Sequence, residues 1–141
     1  MSDETHTSTG QWERSNRSGR AGELVVGGRL IELGFELFWP VNDRPSIDVV
    51  TVWKDTVVNR VQIKTKSLPR DTQLSQEVRG GGTDVKKYDF LIAYLVTQTA
   101  FYVLPADQIK SKMTILFNPN AKTTKVENDY ESFRDAWHLL K

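Results

Sequence analysis

The chain is expected to fold as an α/β (α+β) domain, a mixed central sheet flanked by helices. Three observations carry this expectation. An early run repeats apolar residues at helical spacing, short runs rich in β-branched and aromatic residues follow it, and the chain ends on a second helical pattern. At 141 residues there is enough chain for one domain with a real core.

The first helix is predicted over 19–33, "GRAGELVVGGRLIEL". Ala21, Leu24, Val25, Gly28 and Ile31 follow the spacing of a buried stripe, Ser18 suits the N-cap, and Gly34 suits a left-handed stop. Gly27 and Gly28 each cost about 1 kcal/mol against alanine in a helix, which implies that something packs very close to them. "FELFW" then alternates as a first strand, ended by Pro40 and "NDRP". "IDVVTVW" (47–53) and "VVNRVQIKTK" (57–66) are expected to pair as a hairpin across "KDT". A long polar connection with a triple glycine, 67–87, precedes the nearly continuous apolar run "YDFLIAYLV" (88–96), which reads as a central strand. "AFYVLP" is its partner, "ADQI" a short helical turn, "MTILF" a last strand, and "DYESFRDAWHLL" an amphipathic closing helix. Residues 1–17 are polar and are expected to form a disordered tail, leaving 18–141 as a single domain.

Composition narrows the chemistry. No cysteine is present, which excludes disulfides and thiolate metal sites. The two histidines, His6 and His138, are far apart in sequence. No apolar run approaches the ~20 residues that span a bilayer, and the N-terminus lacks the basic and apolar regions of a secretory signal, so a cytoplasmic protein with no membrane partner is expected. The formal net charge of +1 is no nucleic-acid signature by itself.

The informative residues are polar ones in strand and helix settings. Along "VQIKTK", Val61, Ile63 and Thr65 share one face, while Gln62, Lys64 and Lys66 share the other, with Gln62 and Lys64 roughly 7 Å apart. Asp48 stands near the start of an apolar strand, where aspartate is unfavourable without a reason. A hairpin turn centred near residue 55 puts Asp48 opposite Gln62. Glu23 lies on the first helix beside its apolar stripe. A carboxylate, an amide oxygen and an ammonium then converge on one sheet face. That set suits metal-assisted phosphodiester hydrolysis, because hard cations take oxygen ligands and a nearby lysine can hold the attacking water or offset charge on the phosphate. Each residue also has a plainer reading: Asp48 can cap a turn after "RPS", Glu23 can be an ordinary helix residue, and a lysine run can be a solvated face.

"E…(P)SID…VQIK" resembles the PD-(D/E)xK nuclease superfamily, and within it the small branch of group I intron homing endonucleases in which glutamine stands in the second acidic position. The resemblance runs from about Gly19 to Pro105 and implies a restriction-endonuclease-like fold. It implies Asp48 as the metal-binding aspartate, Gln62 as an amide ligand in place of Glu or Asp, Lys64 as the motif lysine, and Glu23 as the helix acid that reaches the metal through water. It adds the backbone carbonyl of Ile63 as a further ligand. The proline that normally precedes the aspartate is displaced to Pro45, and Gln62 removes one negative charge. The implied protein is a metal-dependent DNA endonuclease using Mg²⁺ or Mn²⁺, with Arg20, Lys66, Arg79 and Lys86 as nucleic-acid contacts. Cutting both strands needs more than one active site, hence an expected homodimer or homotetramer. The alternative is an inactive nuclease-fold module that binds nucleic acid or a protein partner, and Gln62 is the residue that favours it.

Overall fold

The computed structural model describes residues 4–42, 46–66, 75–78, 87–109, 113–116 and 130–141. Its frame is one long helix on a five-stranded sheet. Helix α1 spans Glu4–Glu32 and begins well before the residue 19 predicted from apolar spacing, so residues 4–17, expected as a tail, continue the helix. The start was illegible because polar residues carry no periodic apolar signal, yet they extend a helix once its C-terminal half is anchored by packing. Gly34 ends it as expected. It adopts φ +98°, its N–H donates to the Ile31 carbonyl at 3.0 Å, and the Phe35 N–H donates to the Leu30 carbonyl at 3.1 Å. That bond pattern is a Schellman cap, and Leu30 and Phe35 close it from the core.

The main sheet is ordered β1-β2-β3-β5-β6, with β1 at Glu36–Phe38, β2 at Val49–Trp53, β3 at Val57–Lys66, β5 at Phe90–Leu95 and β6 at Ala100–Pro105. All neighbours are antiparallel except β3 and β5, which run parallel, so the sheet is mixed. The β2–β3 hairpin pairs Val49 with Val61 and Trp53 with Val57, the register that the sequence implied. Its turn places Lys54 and Asp55 at φ +48° and +62°, both left-handed as in a type I′ turn, and the Thr56 N–H donates to the Trp53 carbonyl at 3.2 Å. Two further strands, β4 (Ser75–Val78) and β7 (Met113–Leu116), pair antiparallel in a separate small sheet. The first of these falls inside 67–87, expected to be loop throughout; "SQEV" is too polar and short to announce a strand.

Each face of the main sheet carries its own core. Val26, Leu30, Phe35, Val49, Val61, Ile63, Ile92, Val103, Trp137 and Leu140 pack on the α1 face. Tyr88, Leu91, Ala93, Leu95, Tyr102, Leu104, Ile109 and Tyr130 pack on the other. The last segment joins the two. It is not the predicted α-helix but two 3-10 turns, Glu131–Phe133 and Trp137–Leu140. Between them Arg134 bridges Tyr102 on the β6 edge, Asp135 takes φ +50°, and the Asp135 N–H donates to the Phe101 carbonyl at 2.9 Å. Capping the free sheet edge and delivering apolar residues to both faces won over helical periodicity.

The predicted apolar stripe of α1 is also corrected. Gly22, Val26, Gly27 and Leu30 are the buried residues, while Ala21, Leu24, Val25, Gly28 and Ile31 are exposed. Two glycines set the rotation. A Cβ on Gly22 would collide with the Thr65 side chain, and one on Gly27 would come within 2.8 Å of the Trp39 ring. Only hydrogen at these positions lets α1 lie this close to the sheet. No helix among the described residues is long and apolar enough to cross a membrane.

Candidate active site

The candidate site lies where β2 and β3 part company. The β2–β3 ladder begins at Val49 opposite Val61, but β3 continues to Lys66, held on its other side by β5. Among the described residues, 62–66 therefore have one flank with no strand partner. Ser46, at φ +73°, turns the chain into the start of β2, and Asp48 follows at the head of this notch. The Asp48 N–H donates to the Val61 carbonyl at 2.9 Å, and its Oδ2 accepts from the Ile63 N–H at 2.6 Å. A carboxylate thus closes the ladder where a strand would otherwise continue, which is a physical reason for aspartate at this position.

In a strand, the N–H and C=O of one residue point to the same side. The Ile63 N–H faces Asp48, so the Ile63 carbonyl faces the same open flank. Asp48 is half-buried, and burial raises its carboxyl above the usual value. The Ile63 N–H and the charges of Lys64 and Arg20 pull in the opposite direction without cancelling the rise. A carboxylate held ionised in such a place is short of positive charge, and a cation would supply it.

Gln62 and Lys64 project from the opposite face of β3 to Val61 and Ile63, the face on which their register partners Leu91 and Ala93 belong to the second core. Both are half-buried, as is Lys66 two residues on. Glu23 approaches from α1. Gly22, its neighbour, is the helix residue pressed onto Thr65, so the contact that seats the helix also carries Glu23 over β3. Arg20, one turn earlier, donates to Glu23 Oε2 at 2.9 Å and is the second cationic side chain whose charge Asp48 feels. Asp48, Ile63, Lys64 and Arg20 are thereby brought together, and Glu23 is held by Arg20; α1, which bears Glu23, lies on the Val61–Ile63 face of the sheet, whereas Gln62 and Lys64 leave β3 from the other face. Arg79 and Lys86 lie outside the described residues.

Sequence reasoning missed Gly22 and the double role of Arg20, which it placed only as a nucleic-acid contact. A glycine immediately before the candidate helix acid, "AGEL", was the available signal for the first. Among the described residues no group of three or more His, Asp or Glu could hold a metal ion. The ligands expected from the sequence are two carboxylates, one side-chain amide and one backbone carbonyl. All are oxygens, and all suit a hard divalent cation rather than a thiophilic one.

The comparisons with known proteins bear on the family and the fold. A family model described as PD-(D/E)XK endonuclease matches residues 14–140. Among solved structures, the chain is similar to a bacterial homing endonuclease, I-Ssp6803I, with a TM-score of 0.70 and 24% identity over 87% of this chain and 88% of that one. At that identity the likeness is one of fold. A comparison with curated proteins finds no match.

Proposed function

This chain belongs to the PD-(D/E)XK endonuclease family, and on that footing we propose that it is a divalent-metal-dependent DNA endonuclease acting at the β2–β3 notch. Family members typically use divalent metals, and Mg²⁺ or Mn²⁺ fits the all-oxygen donor set best. The observation that carries the reading is the Asp48 carboxylate, clamped by the Ile63 N–H at 2.6 Å on an open strand flank and within the field of Lys64.

Asp48, the Gln62 amide oxygen and the Ile63 carbonyl would hold the cation, with Glu23 reaching it through water. Bound there, the cation would polarise the scissile phosphate and acidify a water. The protein's own groups do the rest. The bond from Ile63 fixes the Asp48 carboxylate, so no reorganisation is needed when charge develops. Lys64 orients the attacking water and offsets negative charge on the phosphate. Water oxygen bonds to phosphorus, one ester P–O bond breaks, and the leaving sugar oxygen takes up a proton. Arg20 and Lys66 bind flanking phosphates, and two copies serve two strands.

Plasmid nicking with Mg²⁺ or Mn²⁺ tests this. Wild type is expected to nick, EDTA to abolish it, and Asp48→Asn to lower the rate about a thousandfold or more, since such a ligand carries several kcal/mol of the barrier. Lys64→Ala is expected to fall similarly. A second reading is favoured by one residue: Gln62 removes a negative charge from the site, which suits a module that binds nucleic acid without cutting. It predicts duplex affinity that falls steeply with salt while no metal supports nicking.

A further inference from the structure

We propose, on the footing of the endonuclease reading, that the main-chain N–H of Thr65 is a phosphate-binding donor of the site, a contact that no side chain supplies. Hydrogen-bonding directions alternate along a strand, so β3 turns its odd-numbered residues to one neighbour and its even-numbered residues to the other. The Val61 carbonyl accepts from the Asp48 N–H and the Ile63 N–H donates to the Asp48 carboxylate, both on the β2 side. The Lys66 carbonyl accepts from the Val96 N–H at 2.9 Å, on the β5 side. Thr65 is odd-numbered. Its N–H therefore points the same way as that of Ile63, past the end of β2 at Val49.

Buried main-chain donors seldom stay without a partner. Among the described residues no strand stands opposite Thr65 on that side. Its own hydroxyl does not fold back onto the backbone either: Oγ1 lies where a Cβ of Gly22 would stand, buried and with no hydrogen-bond partner. That contact with α1 also fixes the residue, so the N–H is in place before any ligand arrives. The order of groups along the strand edge says what it faces. After the Asp48 carboxylate comes the Ile63 carbonyl, an acceptor. The Thr65 N–H, a donor, follows within one strand repeat of about 7 Å. An acceptor suits a cation, and a donor beside it suits an oxygen of the anion that the cation holds. Lys64 and Lys66, half-buried on either side of Thr65 along the strand, add positive charge. A backbone phosphate is the anion that a nucleic-acid substrate presents.

Hydrogen exchange of the full chain in EDTA reads this contact without cutting. In the free chain the Thr65 N–H should exchange far faster than those of Ile63 and Lys64, which Asp48 and β5 hold. A mixed-sequence DNA duplex should then slow Thr65 by about tenfold or more. An ester in place of the Lys64–Thr65 amide removes this N–H, and one in place of the Gln62–Ile63 amide removes the N–H that Asp48 holds. Each ester also weakens one carbonyl of the β3–β5 ladder, so the Thr65 ester should melt above the Ile63 ester. Its kcat/KM for nicking should nevertheless fall about a hundredfold. The proposal is overturned by a Thr65 N–H already protected in the free chain, by one that the duplex leaves unchanged, or by a Thr65 ester that nicks like wild type. A duplex that slows Thr65 in a chain that no metal induces to nick would sink the endonuclease reading and leave the phosphate contact standing.

Discussion

Asp48 is the residue whose chemistry and stability pull apart. Its folded carboxyl is raised by burial, so the ionised form weakens the fold at neutral pH, and that cost disappears as pH falls through the folded value toward the ordinary 3.8. Asp48→Asn keeps an oxygen for the Ile63 N–H and removes the buried charge. Thermal melts should therefore show the variant above wild type at pH 7, with the difference closing under acid, while nicking is lost. A variant that melts lower at pH 7 would mean that Asp48 is held mainly by attraction to Lys64 and Arg20. Gln62 poses the complementary question of charge. Gln62→Glu restores a carboxylate at a position already oriented by β3, and it should tighten Mn²⁺ binding by about tenfold with nicking retained or increased. Calorimetric titration of Mn²⁺ measures this. Alternation along "VQIKTK" and the hairpin register were readable from residue types alone, because period-two burial leaves one register that keeps Val49 and Val61 inside. The link between Arg20, Glu23 and Asp48 was not readable, because it depends on how α1 is rotated over the sheet.

That rotation is decided at the scale of the element. The sequence offers α1 two apolar arcs, Ala21–Leu24–Val25–Gly28–Ile31 and Gly22–Val26–Leu30, and the richer one is on the outside. Counting apolar residues selects the wrong arc. The closest approach selects the right one, because only Gly22 and Gly27 admit Thr65 and Trp39. Gly22→Val should therefore cost about 2 kcal/mol in denaturant unfolding and also reduce nicking, since it lifts the helix turn that bears Glu23. A loss of activity without loss of stability would assign Gly22 a role other than spacing. The closing segment teaches the same lesson from the other end of the chain. Phe133, Ala136, Trp137 and Leu140 do have helical spacing, but Phe133 packs on one core and Ala136, Trp137 and Leu140 on the other, around the β6 edge. Periodicity within a segment cannot reveal that its residues serve opposite faces of a sheet.

For the whole molecule, the sheet order explains how a strand flank can stand open in so small a domain. β3 and β5 each have an antiparallel neighbour on one side and a parallel one on the other, and β2 stops at Val49 while β5 follows β3 to Lys66. A core packs on each face of the sheet behind this flank, so polar groups there are held on strands rather than on loops. The bidentate pair between Arg60 and Asp89 ties β3 to the start of β5 on the same side of the sheet. Fold class and strand order along the chain were visible as runs of β-branched residues, whereas the two separate cores emerge only when the strands are assembled. The most direct test is a crystal of the full chain soaked in Mn²⁺ and measured for anomalous scattering. One peak is predicted in the notch, within about 2.0–2.3 Å of Asp48, Gln62 and the Ile63 carbonyl. A peak that avoids Asp48, or none at Mn²⁺ concentrations that support nicking, would contradict the site.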